Sequence, residues 1–198
     1  MPKYCEIRAL YDKETITVYQ AYNKYIAQAA AKHSKFVAPF SFNRMTWIKP
    51  SFLWMMERSN WGNKSNQEHT LAIKISRNGF EEALKNSVLS HPEKDVYKNV
   101  ELWNERKKNA NVTVQWDPER NIRGGKLDYR SIQIGLGRNI IKQYNDEWII
   151  SIEDISPTVQ KMHNLIIKGE YEKAKRFLPE ERIYTLPQDI AEIVGISK

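Results

Sequence analysis

The chain has 198 residues, of which 41% are hydrophobic and 28% charged, and its formal net charge is +7. This length suits one globular domain, so we expect a single domain over residues 1–198, with a core at about 4–170 and a C-terminal helical extension at about 171–198. Because no apolar run approaches the roughly 18 residues that span a bilayer, and the start has no apolar signal core, the sequence predicts a cytoplasmic protein with no membrane partner.

The first part of the chain combines short strands with helices. Apolar residues alternate with polar ones over 4–10 and 15–19, which predicts two strands joined by a turn. An Ala-rich helix is expected at 23–33. After an extended stretch at 44–49, Pro50 is expected to open an apolar helix, which we interpret as the central buried helix.

The rest of the chain adds four strands and several helices. A strand is predicted at 70–76, and three more are centred on Val114, Ile134 and Ile150. Helices are predicted at 79–88, at 95–108, from a cap at Ser156 to Gly169, and at 170–177. Six alternating strands, with helices early, mid-chain and late, predict an α+β fold with mostly antiparallel sheets rather than a doubly wound α/β fold.

Several common chemistries lack their residues in this sequence. There is no phosphate-binding glycine loop, the four histidines are far apart, and Cys5 is the only cysteine, so neither a zinc site nor any other metal centre is predicted. Asp117 and Glu119 alternate on a strand and could converge on one Mg²⁺ ion, as in a nuclease, although a polar turn is the favoured interpretation. Glu153 and Asp154 are expected to approach the helix that starts at Ser156.

Basic and aromatic residues lie beside apolar residues rather than in charge runs. Basic side chains in such places need an anionic partner, which is either a structural carboxylate or a phosphate group. Trp47 and Trp116 are candidate stacking surfaces for a base, and Gln20 and Tyr22 share one face of a strand. The residues of this kind that we predict to bind a nucleotide cofactor are Arg8, Gln20, Tyr22, Arg44, Trp47, Lys49, Ser51, Trp116 and Arg120.

Several segments resemble those of a family described only as domain of unknown function 4291. The resemblance covers about residues 5–170, and its most distinctive block is 44–59. The other matching segments are 7–12, 17–22, 114–120, 130–136 and 147–154. The family's description carries no mechanism.

A second resemblance, of order and local shape, is to the ADP-ribosyltransferases, which split NAD and transfer ADP-ribose. A strand that carries 19–22 leads directly into an Ala-rich helix, and the block 46–54 is similar to the second element of those enzymes. The resemblance implies an ADP-ribosyltransferase-like fold and NAD as the substrate. It aligns Gln133 with their catalytic glutamate, so either Gln133 or a nearby carboxylate is expected to take the catalytic role. The carboxylates considered are Glu119, Glu147 and Glu153.

The leading hypothesis is therefore an NAD-dependent ADP-ribosyltransferase-like enzyme that acts on nucleic acid or another anionic macromolecule. The alternative is a non-catalytic module that binds RNA or a nucleotide, since a basic charge balance favours anionic partners in either case. Both hypotheses predict that Gln20, Arg44 and Gln133 meet in one cleft between two small sheets. The sequence does not predict an oligomeric state.

Overall fold

A computed structural model describes residues 4–196 of the chain. The strands are β1 (Arg8–Ala9), β2 (Thr15–Tyr22), β3 (Thr46–Ile48), β4 (His69–Ser76), β5 (Ser87–Leu89), β6 (Val112–Arg120), β7 (Lys126–Leu136), β8 (Ile149–Asp154) and β9 (Arg182–Ile183). The helices are α1 (Lys24–His33), α2 (Phe52–Ser59), α3 (Arg77–Lys85), α4 (Val100–Asn109), α5 (Ile141–Gln143), α6 (Ser156–Ile167), α7 (Tyr171–Lys175) and α8 (Gln188–Ile193), and a π-helical turn covers Tyr144–Trp148.

The strands form three sheets, and the α+β fold predicted from the sequence is confirmed. One sheet has the order β2-β4-β8 and the second has the order β3-β7-β6-β5, while β1 pairs with β9. All pairings are antiparallel except that of β5 with β6. The backbone of Lys49 bonds to that of Tyr19, with N···O distances of 2.7 and 3.2 Å, so the end of β3 meets the first sheet.

Two clusters of buried side chains hold these layers together. The larger cluster lies between the sheets and includes Val18, Ile73, Ile134 and Tyr144. Helix α2 is largely buried, as its apolar sequence predicts, but its residues belong to the smaller cluster with Tyr19 rather than to the centre of the main core. This position makes α2 a wall of the cleft described below.

Several predicted boundaries are wrong. Strand β6 does not give way to a loop at Asp117 but continues to Arg120, because β7 pairs with it along this stretch despite a register shift after Pro118. The helix predicted at 79–88 ends earlier, because residues 87–89 form strand β5. The helix predicted at 95–108 corresponds to α4, which begins at Val100. Short elements of this kind depend on pairing partners that are distant in sequence.

The predicted helix cap at Ser156 is also wrong in its details. Ser156 is the first residue of α6, and its hydroxyl accepts a hydrogen bond from the backbone N–H of Thr70 at 3.0 Å. Asp154 takes the capping role instead, because its Oδ1 accepts from the backbone N–H of Ser156 at 2.9 Å. The expectation that Asp154 approaches the start of this helix is therefore confirmed.

The segment from 171 onward, expected as a helical extension, is packed against the rest of the chain. It contributes β9 to the pairing with β1, and Tyr184, Ile190 and Val194 belong to the main core. Residues 197 and 198 lie outside the described range. None of the helices described between residues 4 and 196 has the length and apolar character needed to cross a membrane.

Candidate functional site

A cleft of about 530 Å³ opens where β2, β3, α2, β6 and β7 meet. It contains six of the predicted site residues, which are Gln20, Tyr22, Arg44, Trp47, Lys49 and Gln133. The other residues that line it include Thr46, Arg58, Gln115 and Asp117. The prediction that Gln20, Arg44 and Gln133 share one cleft is therefore correct, although they are scattered along the chain.

Lys49 is the most unusual residue of the cleft. Its side chain is only 6% exposed, and within residues 4–196 it has no hydrogen-bond partner and no ion pair. Burial lowers the pKa of Lys49 from its ordinary value of 10.5 to about 8; the neighbouring Arg58 also lowers it, and Asp117 opposes both. A buried ammonium group without a partner is costly, so this position favours an anionic ligand.

Two arginines accompany Lys49 in the cleft. Arg44 and Arg58 are exposed, and neither forms an ion pair within the part of the chain that the structure describes. Their guanidinium groups can form paired hydrogen bonds to phosphate oxygens. The cleft therefore gathers three basic side chains that no carboxylate has neutralised by direct contact.

Gln20 has a structural role rather than the ligand contact predicted for it. Its Nε2 donates to the hydroxyl of Thr46 at 2.6 Å and to that of Tyr22 at 2.9 Å, and its Oε1 accepts from Tyr144 at 2.9 Å. The side chain is 2% exposed. The amide of Gln20 is therefore engaged by protein groups and holds the hydroxyl groups of Tyr22 and Thr46 in place. These hydroxyl groups, rather than Gln20, are available to a ligand.

A carboxylate held by two amides occupies the wall formed by β6 and β7. Gln133 Nε2 donates to Asp117 Oδ2 at 2.6 Å, and Gln115 Nε2 donates to Asp117 Oδ1 at 2.9 Å. These residues share one face because Gln115 pairs with Gln133 in the β6–β7 register. Among residues 4–196, Asp117 is the one carboxylate that lines the cleft.

The aromatic wall of the cleft depends on a glycine. Trp47 pairs with Gly135 across β3 and β7, and a Cβ atom at Gly135 would lie 3.0 Å from Trp47 and 2.8 Å from the sulfur of Met45. Since a larger residue would displace both side chains, Gly135 allows the indole of Trp47 to pack close to β7. The half-buried indole offers a surface on which a planar ring can stack.

Two further cavities adjoin the cleft. One, of about 310 Å³, shares Tyr22, Arg44 and Thr46 with it and is also lined by Phe40. The other, of about 470 Å³, shares Gln115 and Asp117 with it. Arg44 therefore borders the cleft and one neighbouring cavity, and Asp117 borders the cleft and the other.

Three of the other predicted residues lie outside the cleft in structural contacts. Arg8 pairs with Glu6 at 2.6 Å, and Arg120 pairs with Glu57 at 3.2 Å, so both have the carboxylate partner that was the alternative to a phosphate. The hydroxyl of Ser51 accepts from the backbone N–H of Trp54 and caps α2. These residues shape the surroundings of the cleft without lining it.

The remaining predicted residues are also separated from it. Trp116 lines the 470 Å³ cavity, where its indole N–H donates to the carbonyl of Val194 at 2.7 Å. Glu119 is buried, and burial raises its pKa. Glu153 is exposed on β8, in the other sheet. Neither of these two carboxylates reaches the cleft, so the structure does not support them as alternatives to Gln133.

A half-buried carboxylate, that of Glu181, supports the start of α2. Glu181 Oε1 accepts a hydrogen bond from the backbone N–H of Phe52, the first residue of the helix, at 2.6 Å. Burial raises the pKa of Glu181 to about 8, and the nearby Glu119 raises it further. This contact fixes the start of the helix that forms one wall of the cleft.

The predicted site does not include four residues that line the cleft, namely Gln115, Thr46, Asp117 and Arg58. Asp117 was considered only as a partner of Glu119, because strand alternation alone puts residues 115, 117 and 119 on the same face. The two carboxylates have different hydrogen-bond partners, since Glu119 Oε1 accepts from the backbone N–H of Arg120. Within residues 4–196, no group of three or more His, Cys, Asp or Glu residues has a geometry that could hold a metal ion.

Comparison with known proteins places the chain in a family. The model of the family described as Domain of unknown function (DUF4291) matches residues 6–184. The chain belongs to this family, as the resemblance of its central block implies. No curated protein matches the chain.

Proposed function

We propose that this member of the DUF4291 family binds NAD in the cleft and cleaves the bond between nicotinamide and ribose, as an ADP-ribosyltransferase does. The observation that carries the proposal is Lys49, a residue only 6% exposed whose side chain lines the cleft without an ion pair among residues 4–196, beside Arg44 and Arg58. A phosphate group would supply the counter-charge that the described residues do not supply.

The shape of the site favours a dinucleotide over a single phosphate. The cleft and its 310 Å³ neighbour share Arg44 in their walls, and each has an aromatic residue in its wall, Trp47 in one and Phe40 in the other. NAD carries two phosphates between two planar rings. We therefore place the diphosphate near Arg44 and one ring in each cavity.

The proposed macromolecular target is nucleic acid, for which the net charge of +7 is the support. If nucleic acid binds, its affinity should fall steeply with salt, because basic residues release condensed counterions. Absence of binding to single-stranded RNA and DNA at low salt would remove nucleic acid as the target.

The direct test combines calorimetry with product analysis. NAD, ADP-ribose and inorganic phosphate are titrated into the purified protein, and nicotinamide release is followed with and without single-stranded RNA or DNA. We expect NAD and ADP-ribose to bind more tightly than phosphate, and nicotinamide to be released. Binding of nucleotides without any release would favour the non-catalytic module, and no binding of NAD would refute the proposal.

A further inference from the structure

The proposed reaction needs a negatively charged group close to the ribose. As the bond to nicotinamide breaks, positive charge develops on the ribose, and a fixed carboxylate stabilises it more than a neutral amide does. Gln133, which the resemblance to the ADP-ribosyltransferases aligned with this role, has a neutral amide. Its Nε2 donates a hydrogen bond to Asp117. The carboxylate of Asp117 therefore lies next to the amide that the resemblance aligned with the catalytic glutamate.

We propose that Asp117 is the catalytic carboxylate of this site and that Gln115 and Gln133 are its positioning residues. This inference rests on the proposed function. Among the described residues Asp117 alone supplies a carboxylate to the cleft, and the two amide donors at 2.6 and 2.9 Å engage one oxygen each. Paired donors of this kind orient a carboxylate before substrate arrives, which lowers the cost of reorganisation during the reaction.

Asp117 also borders a second cavity. Asp117 and Gln115 line both the cleft and the 470 Å³ cavity, whose walls include Trp116 and Arg130. The guanidinium of Arg130 donates to the carbonyl of Trp116 at 2.9 Å and to the hydroxyl of Tyr4 at 2.7 Å, so it is engaged within the wall.

The step balances without any further reactant. The bond between ribose C1′ and the nicotinamide nitrogen breaks, and nicotinamide leaves as a neutral molecule with the bonding electron pair. The oxygen or nitrogen of the nucleophile forms the new bond to C1′. Its proton passes to the carboxylate of Asp117 and then to solvent, which makes Asp117 both an electrostatic stabiliser and a general base.

The test separates turnover from binding. NAD affinity is measured by calorimetry and nicotinamide release by chromatography for wild type, Asp117→Asn, Gln133→Ala and the control Asp128→Asn. Asp128 is an exposed carboxylate on β7, outside the cleft, so its variant makes the same chemical change at an unrelated place. We expect Asp117→Asn to lower turnover about 100-fold or more with NAD affinity within about threefold of wild type.

Gln133→Ala is expected to lower turnover about tenfold while leaving NAD affinity unchanged, because it removes a donor to Asp117 and not a contact to the ligand. Asp128→Asn should match wild type in both measurements. If Asp117→Asn does not fold by thermal unfolding, Asp117→Glu serves instead, since it keeps the charge but moves it by one methylene, and at least a tenfold loss of turnover is expected.

Two failures are distinguishable. If wild type releases nicotinamide and Asp117→Asn, or Asp117→Glu where it replaces that variant, does so within about threefold of the same rate, the assignment of Asp117 is overturned while the proposed function stands. If wild type neither binds NAD nor releases nicotinamide, the proposed function is refuted and the assignment of Asp117 with it.

Discussion

Replacement of Lys49 by methionine should stabilise the fold and weaken ligand binding at the same time. Methionine has a similar length and no charge, and the hydrogen bonds between the backbones of Lys49 and Tyr19 are unaffected by the side chain. The variant therefore removes one buried ammonium group and little else. Opposite effects of one substitution on stability and on affinity are expected where a charge is present for a ligand rather than for the fold.

The magnitude follows from the pKa of Lys49, which burial lowers from 10.5 to about 8. At about 1.36 kcal/mol for each pH unit, this difference corresponds to about 3 kcal/mol of unfavourable free energy when the group is charged in the folded state. The side chain is 6% exposed, so solvent screens little of this cost. The cost is fully present below pH 8, falls as pH rises from 8 toward 10.5, and is absent above that, because the unfolded chain binds the extra proton throughout this window.

The assay is urea unfolding of wild type and Lys49→Met at pH 7 and at pH 10.5, with NAD titrations at pH 7. We expect the variant to be more stable by up to about 3 kcal/mol at pH 7 and similar to wild type at pH 10.5. Lys74→Met, on the exposed face of β4, is the matched control and should change neither quantity. A variant that is less stable than wild type at pH 7, or that binds NAD equally well, would refute this account of Lys49.

Three other substitutions test separate contacts. Arg44→Ala should weaken NAD binding by about 1.5–3 kcal/mol in calorimetry, since it removes a charge-assisted contact to phosphate. Glu181→Gln should raise the free energy of unfolding by roughly 2–4 kcal/mol above pH 8 and leave it unchanged below pH 4.5, because the pKa of Glu181 is raised from 4.5 to about 8 while the amide oxygen still accepts from Phe52. Gly79→Ala should lower the unfolding free energy by about 1–3 kcal/mol in urea, because the added Cβ would lie 2.3 Å from the ring of Trp148.

Each of these predictions has a matched control on the surface. The controls are Arg138→Ala for the charge at Arg44, Glu180→Gln for Glu181, and Asn78→Ala for the helix that carries Gly79. Equal NAD affinity in Arg44→Ala and Arg138→Ala would exclude Arg44 from the ligand site. A pH-independent effect of Glu181→Gln would contradict the raised pKa of that carboxyl group, and an unaltered stability of Gly79→Ala would contradict the close contact between Gly79 and the ring of Trp148.

The cleft itself could be predicted from the sequence to a useful extent. Tyr22, Arg44, Trp47 and Lys49 were selected as basic and aromatic residues beside apolar ones, Gln133 was selected from the resemblance to the ADP-ribosyltransferases, and all five line the cleft. This worked because strands impose a strict alternation, so a polar residue between core residues faces either solvent or a pocket. The same reasoning recovered the α+β fold.

The roles within the site could not be predicted, because they depend on contacts across strands. Gln20 and Gln133 have the same side chain but different partners. Gln20 forms hydrogen bonds with Thr46 and Tyr144, whereas Gln133 donates to Asp117. Nor could alternation separate Asp117 from Glu119, because the register of β6 against β7 shifts after Pro118. Local sequence patterns carry no information on either point.

The order in which a ribosome makes the chain has a consequence for when these cavities exist. The carbonyl of Val194 holds the indole that lines one cavity, and Glu181 holds the start of the helix that lines the cleft. Gly195 also lines the 470 Å³ cavity that contains this indole. A nascent chain that has not yet reached these residues lacks both supports, so the proposed nucleotide binding is expected to begin only after residue 195 has been synthesised and has left the ribosome.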